Sequence, residues 1–177
     1  MVSVNYSAIN PRLISWGDAK PLGSGYIIPI FYKKDELILG VKQRHYRKCK
    51  DSYGKEKVII EIEPEDVLAK TYNIVADIVL SNVAHGSYDE LVGGTPSANL
   101  DRITKEKDLF VKINGTSFFD SNSQKKSTIP TEGQAAFAIS IKSIFVSLTG
   151  VSIQLNVFQM VETTMLEKPV IDLANLV

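Results

Sequence analysis

Between Lys42 and Lys57 seven basic residues stand against two acidic ones, a local net of +5 in a 177-residue chain whose formal charge is zero. Lys42, Arg44, Arg47, Lys48 and Lys50 carry the densest part of the run, with Tyr46 and Tyr53 interleaved. Cationic side chains neutralise phosphates and release their counterions, and aromatic faces stack unpaired bases at about 1–3 kcal/mol each. Cations and rings mixed in this way are the makings of a single-strand groove. The bland alternative is a solvated loop whose charges have no partner.

A second constellation lies near the C-terminus. In Val151–Glu162 (VSIQLNVFQMVE), Val151, Ile153, Leu155, Val157 and Val161 share one strand face. Ser152, Gln154, Asn156, Phe158 and Met160 share the other, an amide- and hydroxyl-bearing surface with one large ring. Gln154, Asn156 and Phe158 on an outer wall suit bases better than they suit a core. Phe110 and Lys112 alternate with Leu109, Val111 and Ile113, which places this ring and cation together on the outside of their own strand. Lys125 and Lys126 extend the positive track or serve as ordinary loop lysines.

Other chemistries find little support. His45 and His85 are the two histidines, and His85 sits where a helix should end, favoured there by the dipole. Cys49, between Lys48 and Lys50, has no base-and-orienter set beside it. Glu61, Glu63, Glu65 and Asp66 gather at a strand-to-helix corner, where acidic residues are expected without any metal. Gly23-Ser24-Gly25 and Gly93-Gly94-Thr95 lack the lysine and helix of a phosphate loop. No enzyme, metal or cofactor is therefore expected. One cysteine excludes an internal disulfide, and the N-terminus lacks a signal-peptide pattern, so an intracellular, reducing setting is expected. With no apolar run near 18 residues, no membrane contact is expected. The even overall charge weighs against a nucleic-acid ligand and the local cluster weighs for one.

The elements that must hold these residues are mostly strands. Residues 1–21 read as an irregular arm, 22–162 as the domain and 163–177 as a tail. Gly25–Lys33 and Glu36–Lys42 pair through a tight turn at Lys34-Asp35, with Pro29 marking an edge or bulge. Arg44–Lys55 reads as a polar loop and Lys57–Glu63 as a third strand. Pro64–His85 then has helical spacing, with Gly86 as its stop. Gly86–Asp108 is a long loop, Leu109–Asn114 a fourth strand and Phe118–Thr131 a polar loop. A closing hairpin, Ala135–Leu148 and Val151–Glu162, turns at Thr149-Gly150. The expected fold is mainly β with one long helix: an OB-like antiparallel barrel whose helix lies between strands three and four.

This order resembles the single-stranded DNA-binding proteins of large eukaryotic DNA viruses, and more remotely the podovirus-type phage single-stranded DNA-binding proteins. Three segments carry the likeness. The hairpin Tyr26–Lys33 and Glu36–Val41 leads into a basic loop; Val58–Glu63 runs straight into a helix; Leu109–Asn114 and a polar loop precede Ala138–Phe145 and Gly150–Val161. Together they span about three quarters of the chain. The resemblance implies an OB fold, sequence-independent binding of single-stranded DNA or RNA, and a role in genome replication or recombination. Such proteins often end in an acidic tail. Here Val170, Ile171, Leu173, Leu176 and Val177 make an apolar end, so homo-oligomerisation through the tail is expected instead. The runner-up function is a β-rich viral assembly protein that joins subunits through its termini and binds no nucleic acid.

Overall fold

In the computed structural model, which describes residues 8–163, an outer layer comes first. Its strands are β1 (Ile14–Trp16), β2 (Lys20–Leu22), β3 (Gly25–Tyr32) and β4 (Asp35–Glu36). Residues 8–21 are thus not irregular: β1 and β2 pair antiparallel with the two ends of β3. Pro29 lies between those two paired stretches, where a missing donor breaks no ladder on that side. The β3–β4 turn is formed by Lys33 and Lys34 at φ 53° and 65°, one residue earlier than expected, the positive pair a two-residue hairpin needs.

Then come β5 (Ile38–Lys50), β6 (Glu56–Ile62), helix α1 (Val67–Ala84), helix α2 (Asp89–Val92) and β7 (Lys107–Lys112). The chain continues with β8 (Ser117–Phe119), β9 (Lys125–Lys126), β10 (Glu132–Ser147) and β11 (Gly150–Glu162). Five of these strands close on themselves in the order β10-β5-β6-β7-β11, and β11 returns to β10. The result is an OB-like barrel. Its β7–β11 seam is parallel, at Asn156↔Lys112, while its other seams are antiparallel. A ring of five strands cannot alternate direction all the way round, so one such seam is unavoidable.

β3, expected inside the ring, lies outside it. It pairs with the second half of β10, from Ser143↔Pro29 to Val146↔Tyr26. Lys142 is the extra residue of a bulge in β10 just before that half begins.

Inward rows of Val58, Ile60, Val111, Ile139, Ile141 and Val157 are fully buried. α1 packs on β5 and β11 and buries Leu68, Val75, Val79 and Val83 at one end of the barrel. It starts at Asp66, whose carboxylate accepts the Glu63 N–H at 2.9 Å, and ends at His85, whose Nδ1 lies 2.7 Å from Ser81 O. Gly86, at φ 74°, is the left-handed stop. In chain order α1 lies between the expected third and fourth strands. Counted round the closed barrel these are its second and third, because β3 is outside. With 18 residues and a mean hydropathy of 1.2, α1 is long and apolar enough to cross a membrane; here it is the barrel's plug.

The 86–106 connection is anchored rather than loose. Asn73 donates to Ile103 O at 2.9 Å and accepts its N–H at 2.7 Å, with Leu100 and Ile103 buried. Asn99 holds the closing turn, accepting from Val151 N at 3.2 Å and donating to Thr149 O at 3.3 Å. A Cβ on Gly150 would collide with the Asn99 amide, so a side chain there would displace the group that holds the turn. Residues 164–177, which include Val170, Ile171, Leu173, Leu176 and Val177, lie outside the described residues.

Candidate nucleic-acid interface

The basic run is not a loop. β5 continues through Lys50 and pairs with β6 from Tyr46↔Ile60 to Lys50↔Glu56 and with the start of β10. Alternation therefore sorts its side chains. Tyr46 points inward with Ile60 and Leu109, while Arg47 points outward with Ile59 and Phe110. One step toward the barrel mouth, Cys49, Lys57, Lys112 and Asn156 form the next outward row, continuous through the parallel seam. Phe110 is 58% exposed. The outer wall of β5, β6, β7 and β11 thus carries an open ring with cations beside it.

Several expected contacts belong elsewhere. Tyr46 is fully buried, edge-on to Phe137 at 5.9 Å between centroids, and offers no face to a base. Arg44 has the inward parity of Tyr46 and binds Asp66 at 2.5 Å; Lys48 binds Glu56 and Ile129 O, both at 3.0 Å. Their charges are met within the protein. Lys42 is exposed at an irregularity where β5 places Lys42 and Gln43 opposite Ala136, and Lys50 is exposed at the strand's end. Neither shares the Phe110 row.

The β11 face also departs from strict alternation. Phe158 is the extra residue of a bulge, since Ile139 pairs with Val157 and Ala138 with Gln159. The bulge exchanges the two faces beyond it. Met160, expected outside, is fully buried, and Val161, expected inside, is half-buried. Phe158 itself is half-buried and stands outside the Lys112–Asn156 row. Gln154 and Asn156 do face outward, but both are engaged. Gln154 accepts from Lys112 Nζ at 3.1 Å and donates to Ser152 at 2.9 Å. Asn156 grips the Asn114 backbone, accepting its N–H at 3.2 Å and donating to its O at 3.0 Å.

The wall's charge is graded along the strands. At the mouth end stand Lys57 and Lys112; Lys112 is held below the usual lysine pKa by partial burial first, then by repulsion from Lys57 and Lys55. Lys142 adds to that repulsion and Asp51 opposes it. At the helix end Glu61 faces Asp108 across β6–β7, in a shallow depression with Arg44, His45 and Arg47. His45 Nε2 lies 2.8 Å from Glu132. The sequence reading missed Lys57 and Ile59 as members of this surface. Lys57 and Ile59 were legible: they alternate with Val58, Ile60 and Ile62, an apolar row that marks the strand's inner face.

Among the described residues no group of three His, Cys, Asp or Glu side chains could hold a metal. Comparison with family models, with curated proteins and with solved structures finds no match.

Proposed function

We propose that this protein binds single-stranded nucleic acid, DNA before RNA, along the outer wall of β5, β6, β7 and β11, without sequence preference and without catalysis. The observation that carries the reading is the exposed Phe110 ring in register with Ile59 and Arg47, next to the row holding Lys57 and Lys112. Bases stack on the ring and the Ile59 flank, while Arg47, Lys57 and Lys112 meet phosphates. The OB-like barrel supports this, since this face of such barrels is one that oligonucleotides use. Replication or recombination of a viral or phage genome is the setting we infer, by the resemblance in strand order.

The test is a fluorescence anisotropy titration of single-stranded and duplex DNA at two salt concentrations, with wild type and Phe110→Ala. Preferential, strongly salt-dependent single-strand binding, weakened in the variant, is expected. Equal affinity of the two proteins, or no binding by wild type, overturns the assignment. The assembly reading rests on the even charge and on both termini; the arm's β1 and β2 pair within the chain's own sheet, and residues 164–177 lie outside the described residues.

A further inference from the structure

At the barrel end away from α1 lies a groove of about 820 Å3, within the roughly 300–1,000 Å3 of small-ligand clefts. The β5–β6 turn, the turn after β7 and the segment after β9 form its rims through Gly54, Gly115 and Ser127. Lys48, Lys55, Lys112 and Lys126 line it, against the single carboxylate of Glu56. Glu56 is committed to Lys48 at 3.0 Å. Lys55 and Lys112 form no ion pair among the described residues.

Two further carboxylates nearby each give one oxygen to backbone. Asp51 accepts the N–H groups of Tyr53 and Lys55, both at 2.9 Å, and Asp120 those of Asn122 and Gln124, both at 2.9 Å. Their other oxygens face lysines: Asp51 Oδ2 pairs with Lys57 Nζ at 3.9 Å and Asp120 Oδ2 with Lys126 Nζ at 3.6 Å. Four lysines thus gather at one mouth with one carboxylate in its lining; among the described residues Lys48 and Lys126 are ion-paired and Lys55 and Lys112 are not. The graded wall leads there too: Glu61 and Asp108 offset Arg44 and Arg47 at the opposite end, whereas the Cys49–Lys57–Lys112–Asn156 row holds no carboxylate.

We propose that this groove is a phosphate site in its own right, taking the sugar–phosphate backbone of a single strand as it leaves the Phe110 wall, with Lys55, Lys112 and Lys126 as its cations. The identity of the ligand rests on the single-strand reading of the wall. The phosphate chemistry does not, and a free polyphosphate shares it.

The test uses the full chain, wild type and a Lys55→Ala/Lys126→Ala double variant, with oligothymidylates of about 4 and about 12 nucleotides. Both side chains are exposed, so the fold should persist, and a Lys55→Arg/Lys126→Arg protein should restore binding. The double variant should bind the short strand as wild type does and the long strand roughly tenfold more weakly. Its salt slope for the long strand should fall by about 1.4, two phosphate contacts at about 0.7 each. Inorganic tripolyphosphate should displace more of the long strand's affinity than of the short one's. Unchanged long-strand affinity and slope in the double variant would overturn the groove assignment, while loss of short-strand binding in Phe110→Ala would still uphold the wall. If no strand of either length binds, yet tripolyphosphate binds wild type and not the double variant, the wall reading fails and the groove's ligand is free polyphosphate.

Discussion

Two neighbouring rows of the barrel, Tyr46–Ile60–Leu109 and Arg47–Ile59–Phe110, differ by one residue along each strand. Each contains one aromatic ring. The first row is sealed, Tyr46 and Ile60 fully buried and Leu109 nearly so; in the second, Phe110 is 58% exposed. Aromatic content and proximity to charge do not separate them, since Tyr46 lies in the densest basic stretch of the chain and Phe110 does not. Strand parity separates them. A ring beside lysines in sequence can be core, and a ring in a plainer segment can be the one that meets a ligand.

The largest expected effect tests the sealed row. Tyr46→Ala should cost about 3–5 kcal/mol of stability in a denaturant titration, as truncating buried aromatics does. Lost single-strand affinity with stability unchanged would reverse the assignment of the two rows. Phe110→Ala should do the opposite, removing about 1–3 kcal/mol of single-strand binding and shifting unfolding by less than about 0.5 kcal/mol.

The Tyr46 hydroxyl sharpens the contrast. It is buried without a hydrogen-bond partner, and burial first, then the charge of Glu162, pushes its pKa from 10.0 up to about 12. Tyr46→Phe should therefore raise stability by about 1 kcal/mol. Because the folded pKa exceeds the unfolded one, ionisation costs the fold nothing below pH 10.0, and stability is lost as pH rises from there through about 12. Equilibrium unfolding across that alkaline window should show this component in wild type and not in Tyr46→Phe. The smallest effect compares two arginines three residues apart. Arg47→Ala should lower the binding salt slope by about 0.7. Arg44→Ala should leave the slope alone and cost up to about 1 kcal/mol of stability through the lost Asp66 pair. Matching slopes for the two variants would erase the distinction.

Alternation made Lys57–Glu63 and Leu109–Asn114 readable as strands, and the proline, acidic and glycine signals made α1 readable to within three residues at its start. The basic half of β5 escaped that reading because inward Arg44 and Lys48 are polar. Their partners are Asp66 and Ile129 O, from other segments, and Glu56, across the β5–β6 hairpin, and none of them leaves an apolar pattern in β5. The Phe158 bulge escaped it too: an added residue changes parity without changing composition, and so Met160 and Val161 were assigned to the wrong faces. Asn156 looked available because its backbone partner, Asn114, lies 42 positions away. Of the site, the Phe110–Lys112 strand was legible from its own alternation, while the groove needed three turns brought together by the ring's closure.

That closure has a weak suture. Between β7 and β11 one register pair, Lys112↔Asn156, is reinforced by a side-chain amide standing in for further ladder bonds. Breathing of the cylinder should begin along this line, exchanging the amide protons of Val111–Asn114 sooner than those where β10 meets β11. Because Lys112 sits on the suture itself, a polyanion bridging it to Lys57 and Lys55 would stitch it shut, and ligand and barrel would gain rigidity together.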